Sequence, residues 1–202
     1  MHQMWKLLRV FSSKNQGEIM KVRNIQKMLI GIVVLLCMSV MNTQAAEYTH
    51  EVKSKKIAFA WKIDGDTLAV KLTAETDGWV GVGFNPVEEM KGANFILGYV
   101  KNGVAELNDD FGTDENSHQS DTKLGGTSDV TLVGGTETGG VTTIEFTIPL
   151  NSSDKNDTKI DVNGDTTVLL AYGAGRDSFK SKHKYRTALK VNLSTGASQN
   201  LE

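Results

Sequence analysis

Along residues 57–63, Ile57, Phe59, Trp61 and Ile63 alternate with Ala58, Ala60 and Lys62, and the alternation resumes at Leu68, Val70 and Leu72 after Asp64-Gly65-Asp66. A period of two broken by a short polar turn predicts a β-hairpin. The same pattern predicts strands over 79–84, 94–100, 104–107 (after the Asn102-Gly103 turn), 130–134, 141–148, 166–172 and 187–193. No window beyond residue 46 carries a sustained helical period with caps. About eight to ten short strands with frequent glycine and little proline predict an all-β fold, an antiparallel, immunoglobulin-like β-sandwich. It is expected to form one domain over residues 46–202. Two polar stretches, 111–127 and 151–159, are expected as loops, and long loops in compact domains tend to carry function. The segment 161–165 imitates the opening of a calcium loop. Its glycine is at the fourth place and Tyr172 stands where the bidentate glutamate belongs, so Asn163-Gly164 is expected as a hairpin turn.

The first 45 residues read differently. Lys21, Arg23 and Lys27 precede an apolar run over 28–41, and small residues follow up to Ala45 and Ala46. This is the layout of a secretory signal peptide. The run is shorter than the roughly 20 residues needed to span a bilayer, so cleavage after Ala45 or Ala46 is expected rather than a permanent membrane anchor. Met20 is then a plausible start, with residues 1–19 upstream of it. The expected destination is a periplasm or the extracellular space. Cys37, the only cysteine, lies in that run behind the bulky Leu36, which argues against a lipid anchor. The chain after residue 46 thus forms no disulfide, no Cys-ligated zinc site and no C-x-x-C-H haem attachment.

Six of the 22 basic residues but only one of the 24 acidic ones precede Glu47, leaving 16 basic against 23 acidic groups, a formal charge of −7. That balance excludes nucleic-acid binding, which needs net basic surface. No Ser/His/Asp or Cys/His arrangement and no interpretable acid pair stands out, so no autonomous catalytic function is expected.

The residue that draws attention is Met90, which sits between Glu88-Glu89 and Lys91-Gly92 in a loop joining two apolar runs. Alone, a methionine is most often a filler of apolar gaps. A second candidate region is 179–186. If extended, it places Phe179, Ser181, His183 and Tyr185 on one face and Lys180, Lys182, Lys184 and Arg186 on the other. It reads equally as an edge strand guarded by lysines. Of the other histidines, His50 is expected to be exposed, and His118 lies in an acidic loop with Asp114, Glu115 and Asp121 that could hold a weak metal site but is more simply solvated. Trp61, Trp79, Phe84, Phe95, Tyr99 and Tyr172 are core candidates, some of them lining whatever pocket exists.

Several elements, in order, resemble one family: Gly78-Trp79-Val80-Gly81-Val82-Gly83-Phe84, then Met90-Lys91-Gly92-Ala93-Asn94, then Asp109-Asp110-Phe111, then the strand ending at Tyr172-Gly173 ahead of His183. The sequence resembles the DOMON family over essentially all of the chain after residue 46. Asn94 departs from the aspartate common at its position. Members of the family include haem b binders and carbohydrate-binding or interaction modules. For the haem-binding branch the resemblance implies Met90 and His183 as axial ligands of a non-covalent haem b, and of the aromatic candidates Trp79, Phe84, Tyr99 and Tyr172 are expected to line its pocket. A metal centre with both axial positions filled by protein suits electron transfer, or redox sensing, with a redox partner protein. The alternative it implies is a haem-free module that binds carbohydrate or another protein.

Overall fold

The computed structural model describes residues 47–201, all but a few of them in or between strands. The expected signal peptide lies outside the described residues. The strands are β1 (His50–Ser54), β2 (Ile57–Asp64), β3 (Thr67–Ala74), β4 (Val80–Phe84), β5 (Asn94–Lys101), β6 (Val104–Asp114), β7 (Ser117–Ser120), β8 (Thr131–Thr138), β9 (Val141–Pro149), β10 (Asp165–Gly173), β11 (His183–Asn192) and β12 (Ser198–Asn200). They form a five-stranded sheet, β1-β2-β3-β9-β8, and a seven-stranded sheet, β12-β11-β10-β4-β5-β6-β7. All pairings are antiparallel. This is the antiparallel sandwich that the alternation predicts.

The inner faces of the sheets supply one continuous core. Phe59 and Trp61 of β2, Leu68, Val70 and Leu72 of β3, and Ile144, Phe146 and Ile148 of β9 meet Val80, Val82 and Phe84 of β4 and Val168 and Leu170 of β10. Each fully buried side chain of this size contributes about 1.5–3 kcal/mol by leaving water. The Trp61 indole N–H donates to the Leu193 carbonyl at 2.8 Å, tying the first sheet to the end of β11. In the β5–β6 hairpin, Asn102 and Gly103 have φ of 52° and 78°. Positive φ at both central residues marks the tight turn for which Asn-Gly is suited.

Four expectations need correction. The stretch 111–127 is not one loop: it holds the end of β6, all of β7 and a short 3₁₀ turn, Asp121–Leu124. Its outward residues face solvent at a sheet edge, so no apolar alternation announces it. Asn163-Gly164 is not a hairpin turn, because β9 and β10 belong to different sheets and 150–164 is a crossover between them. His50 is not free at the surface; it lies in β1, half-buried, its ring 5.4 Å from Trp61. The segment 179–186 is not extended throughout, since β11 starts only at His183 and is bulged there against β10.

Candidate functional site

The two sheets differ on their outer faces. On the five-stranded sheet the outward residues of β3 and β9 include Lys71, Thr73, Thr143, Glu145 and Thr147, as expected of a solvated surface. On the seven-stranded sheet, β5 turns Phe95, Leu97 and Tyr99 outward, and these join Trp79 and Ala93 in a second buried cluster. Met90, Leu169, Ala171 and Phe179 pack against it. Strand β4 contributes only glycines to this face. A Cβ on Gly81 would meet Trp79 Cζ3 at 3.3 Å, and one on Gly83 would overlap the Phe95 ring. Gly81 and Gly83 therefore let two aromatic rings lie flat on the sheet.

Two loops cover the cluster. One carries Met90 between β4 and β5 and is held by backbone bonds: Met90 N–H to Glu115 O at 3.3 Å, Gly92 N–H to Gly112 O at 2.8 Å, and Gly112 N–H to Ala93 O at 2.9 Å. Gly112 is required for this docking, since a Cβ there would overlap the Met90 carbonyl. Met90 is thus half-buried over an apolar face. The other loop runs from β10 to β11. The Trp79 indole N–H donates to Ser181 O at 3.1 Å and Oγ at 3.0 Å, and Phe179 lies 4.6 Å from the Tyr99 ring.

His183 ends that second loop, exposed, opposite Gly173. Partial burial, then the charges of Arg186 and Lys182, hold its pKa below the usual imidazole value, favouring the neutral ring. Three residues on, Arg186 Nη1 reaches Glu89 Oε2 at 3.2 Å, which links β11 to the residue before Met90. Tyr99 donates its hydroxyl to Glu106 Oε2 at 2.5 Å, and this bond, with burial, pushes the phenol up to about 12.

The aromatic residues divide between the faces. Trp79 and Tyr99 belong to the outer cluster with Met90, whereas Phe84 and Tyr172 point into the inter-sheet core. The pleat of β4 and β10 explains the split, because odd and even positions face opposite ways. Those two residues therefore line no site on the Met90 face.

The structure adds a pair that the sequence reading assigned elsewhere. His118 does not group with Asp114, Glu115 and Asp121. Its Nδ1 lies 2.5 Å from Oδ2 of buried Asp110, which also accepts from the Asn108 amide, and its ring is 5.6 Å from Phe95. A carboxylate that accepts from one ring N–H fixes a neutral imidazole and leaves the lone pair of the other nitrogen free to accept or to ligate. The available signal was the i, i+2 spacing of Asn108 and Asp110, which pair with Leu97 and Phe95.

An all-β sandwich with an apolar outer face under two loops defines the class. Residues 53–173 match the DOMON domain family, and the chain belongs to it. It is 28% identical over 152 residues to the mouse (Mus musculus) protein "DBH-like monooxygenase protein 1", a match covering 74% of this chain and 24% of that protein. The chain thus corresponds to about a quarter of that relative. Among solved structures, the cytochrome b domain of pyranose dehydrogenase from Coprinopsis cinerea superposes with a TM-score of 0.51 at 13% identity, covering 71% of this chain and 82% of that one. The cytochrome domain of Myriococcum thermophilum cellobiose dehydrogenase gives 0.50 at 10% identity, covering 73% and 83%. At those identities the likeness shows a shared fold.

Proposed function

We propose that this chain is a haem b module that carries electrons, and that Met90 and His183 would hold its iron. The observation that carries the reading is the half-buried Met90 thioether, fixed by backbone bonds over an apolar, aromatic face. Two solved structures of the same fold are cytochrome domains, of a pyranose dehydrogenase and a cellobiose dehydrogenase, which supports the reading.

The residues present fit such a group. Met90 offers a soft neutral donor, and the depressed pKa of His183 keeps its imidazole in the ligating form. Trp79, Phe95, Leu97 and Leu169 supply an apolar surface that excludes water. The Glu89–Arg186 pair links the two ligand-bearing segments. Exposed Lys180, Lys182 and Lys184 offer positive charge for acidic groups of the cofactor or of a redox partner. When bound, the haem supplies a one-electron couple, and a thioether ligand raises its potential. The mouse relative is a monooxygenase by name, and this chain matches about a quarter of it, so we assign the chain electron transfer and leave that activity to the relative.

A haem-free carbohydrate module is the second reading. Stacking a sugar needs an exposed flat ring, and Trp61, Trp79, Phe84, Phe95, Tyr99 and Tyr172 are all buried, which favours haem. Export belongs to the proposal as well, on the strength of the signal-like residues 21–46, and among the described residues no helix is long and apolar enough to cross a membrane. The test is reconstitution with hemin. The reduced protein should show the sharp bands of a six-coordinate low-spin b haem, and acid–acetone should extract the cofactor. A protein that stays colourless through the titration favours the carbohydrate reading.

A further inference from the structure

On the inner side of β5 and β6, three carboxylates meet where the sandwich core gives way to the crossover. Asp109 of β6, Asp121 at the start of the 3₁₀ turn and Asp157 of the crossover each offer an oxygen, and these oxygens all lie within 4.8 Å of one another. Asp109 is 2% and Asp121 0% exposed. Buried carboxylates normally face a cation or a full set of donors, because burying an unpaired charge is costly. Here both Asp121 oxygens and Asp109 Oδ1 have no hydrogen-bond partner. Among the described residues no ion pair reaches any of the three. The nearby Lys155 ammonium donates instead to the Leu124 carbonyl, at 3.0 Å.

A neutral group makes the same point independently. Asn94, 2% exposed, donates its amide N–H to Asp157 Oδ1 at 2.6 Å, while its own Oδ1 is buried without a partner. An amide oxygen gains nothing from three carboxylates. It gains from a cation held by them.

We propose that Asp109, Asp121, Asp157 and Asn94 form a calcium site. Every donor is oxygen, which selects a hard cation over zinc or copper. The donors come from four separate segments, and calcium accepts such irregular sets at high coordination number. Magnesium demands near-octahedral geometry and keeps several waters, which a buried pocket has no room to supply. The remaining contacts read as support for the ligands: Asp129 N–H donates to Asp109 Oδ2 at 2.9 Å, Ser152 Oγ donates to Asp157 Oδ2 at 2.5 Å, and Asp154 accepts from the Thr127 and Asn156 N–H groups. Bound calcium would fasten 121–129 and the crossover to β5 and β6. The inference does not depend on the haem reading, since none of its residues lies on the Met90 face.

The test uses the whole chain, haem-free, stripped with a chelator and melted against added calcium. The melting temperature should rise with calcium up to about 1 mM, as for a ligand that binds only the folded state, and magnesium at equal concentration should do less. Asp121→Asn should weaken calcium binding about tenfold or more while melting no lower than wild type in chelator, because it removes repulsion. Asn94→Ala should also weaken binding, whereas Asp114→Asn, on the exposed β6–β7 turn, should not. A chelated wild-type protein whose melting ignores millimolar calcium overturns the proposal. So does an Asp121→Asn variant with the full wild-type response, or a response to zinc alone.

Discussion

Asp109 and Asp110 are neighbours in β6, yet the pleat sends them to different chemistry. Asp110 faces outward, where it holds His118 against Phe95 beside the Met90 cluster. Asp109 faces inward to Asp121 and Asp157. The outer region is apolar, its polar groups partnered at its margin and its cover made of loops. The inner pocket is the reverse: polar, enclosed and short of partners. An apolar face can wait for a ligand at little cost, whereas unpaired buried carboxylates cannot. The first region is therefore read as a place where a cofactor is used, and the second as one where an ion holds segments together.

The change that should break this comparison most severely is Gly112→Ala. Its Cβ would strike the Met90 backbone, which cannot swing aside as a side chain could. We expect a loss of about 3 kcal/mol, seen in denaturant unfolding, together with loss of hemin retention. Met90→Ala and His183→Ala should separate ligand from fold. Both side chains are partly exposed, so stability should change by about 1 kcal/mol or less, while hemin retention falls, more for His183→Ala because a thioether alone holds ferric iron poorly. Equal retention in both variants and wild type would contradict Met90 and His183 as ligands, and His118, whose imidazole lies beside Phe95, is then the next residue to vary, as His118→Ala.

The inner pocket predicts a pH response that the outer face does not. Burial, reinforced by the surrounding aspartates, pushes the Asp109 and Asp121 carboxyls up to about 7. Folding then takes up protons between the ordinary aspartate value and 7. In chelator the protein should be most stable below about pH 4 as far as these groups decide it, and lose that stability as pH rises through 7. Calcium should flatten the loss, and a thermal melt series across pH reads both. The smallest effect belongs to Arg186→Gln. Its pair with Glu89 is exposed, so unfolding should shift by no more than about 0.5 kcal/mol.

What was legible in the sequence follows from the same contrast. The β2–β3 hairpin and strands β9 and β10 show themselves because one face is buried and its residues recur at every second position, whereas β4 and β5, buried on both faces, show as near-continuous runs of apolar residues and glycine. Met90 stood out because a thioether among Glu88, Glu89 and Lys91 needs a reason. Strands β1, β7 and β12 did not, being short edge strands with few apolar residues. Phe84 and Tyr172, expected to line the pocket, lie in the inter-sheet core instead, because an aromatic residue type does not say which way the pleat turns it. The inner pocket left no local trace, since Asn94, Asp109, Asp121 and Asp157 come from four segments and meet only when the crossover closes over β6.

The haem assignment is tested most directly by the reduction potential of the hemin-reconstituted protein. Equilibrium titration of wild type and Met90→Ala should give a clearly lower potential for the variant, with the low-spin spectrum lost, because the thioether favours ferrous iron. Identical potentials and spectra in the two proteins would contradict Met90 as a ligand.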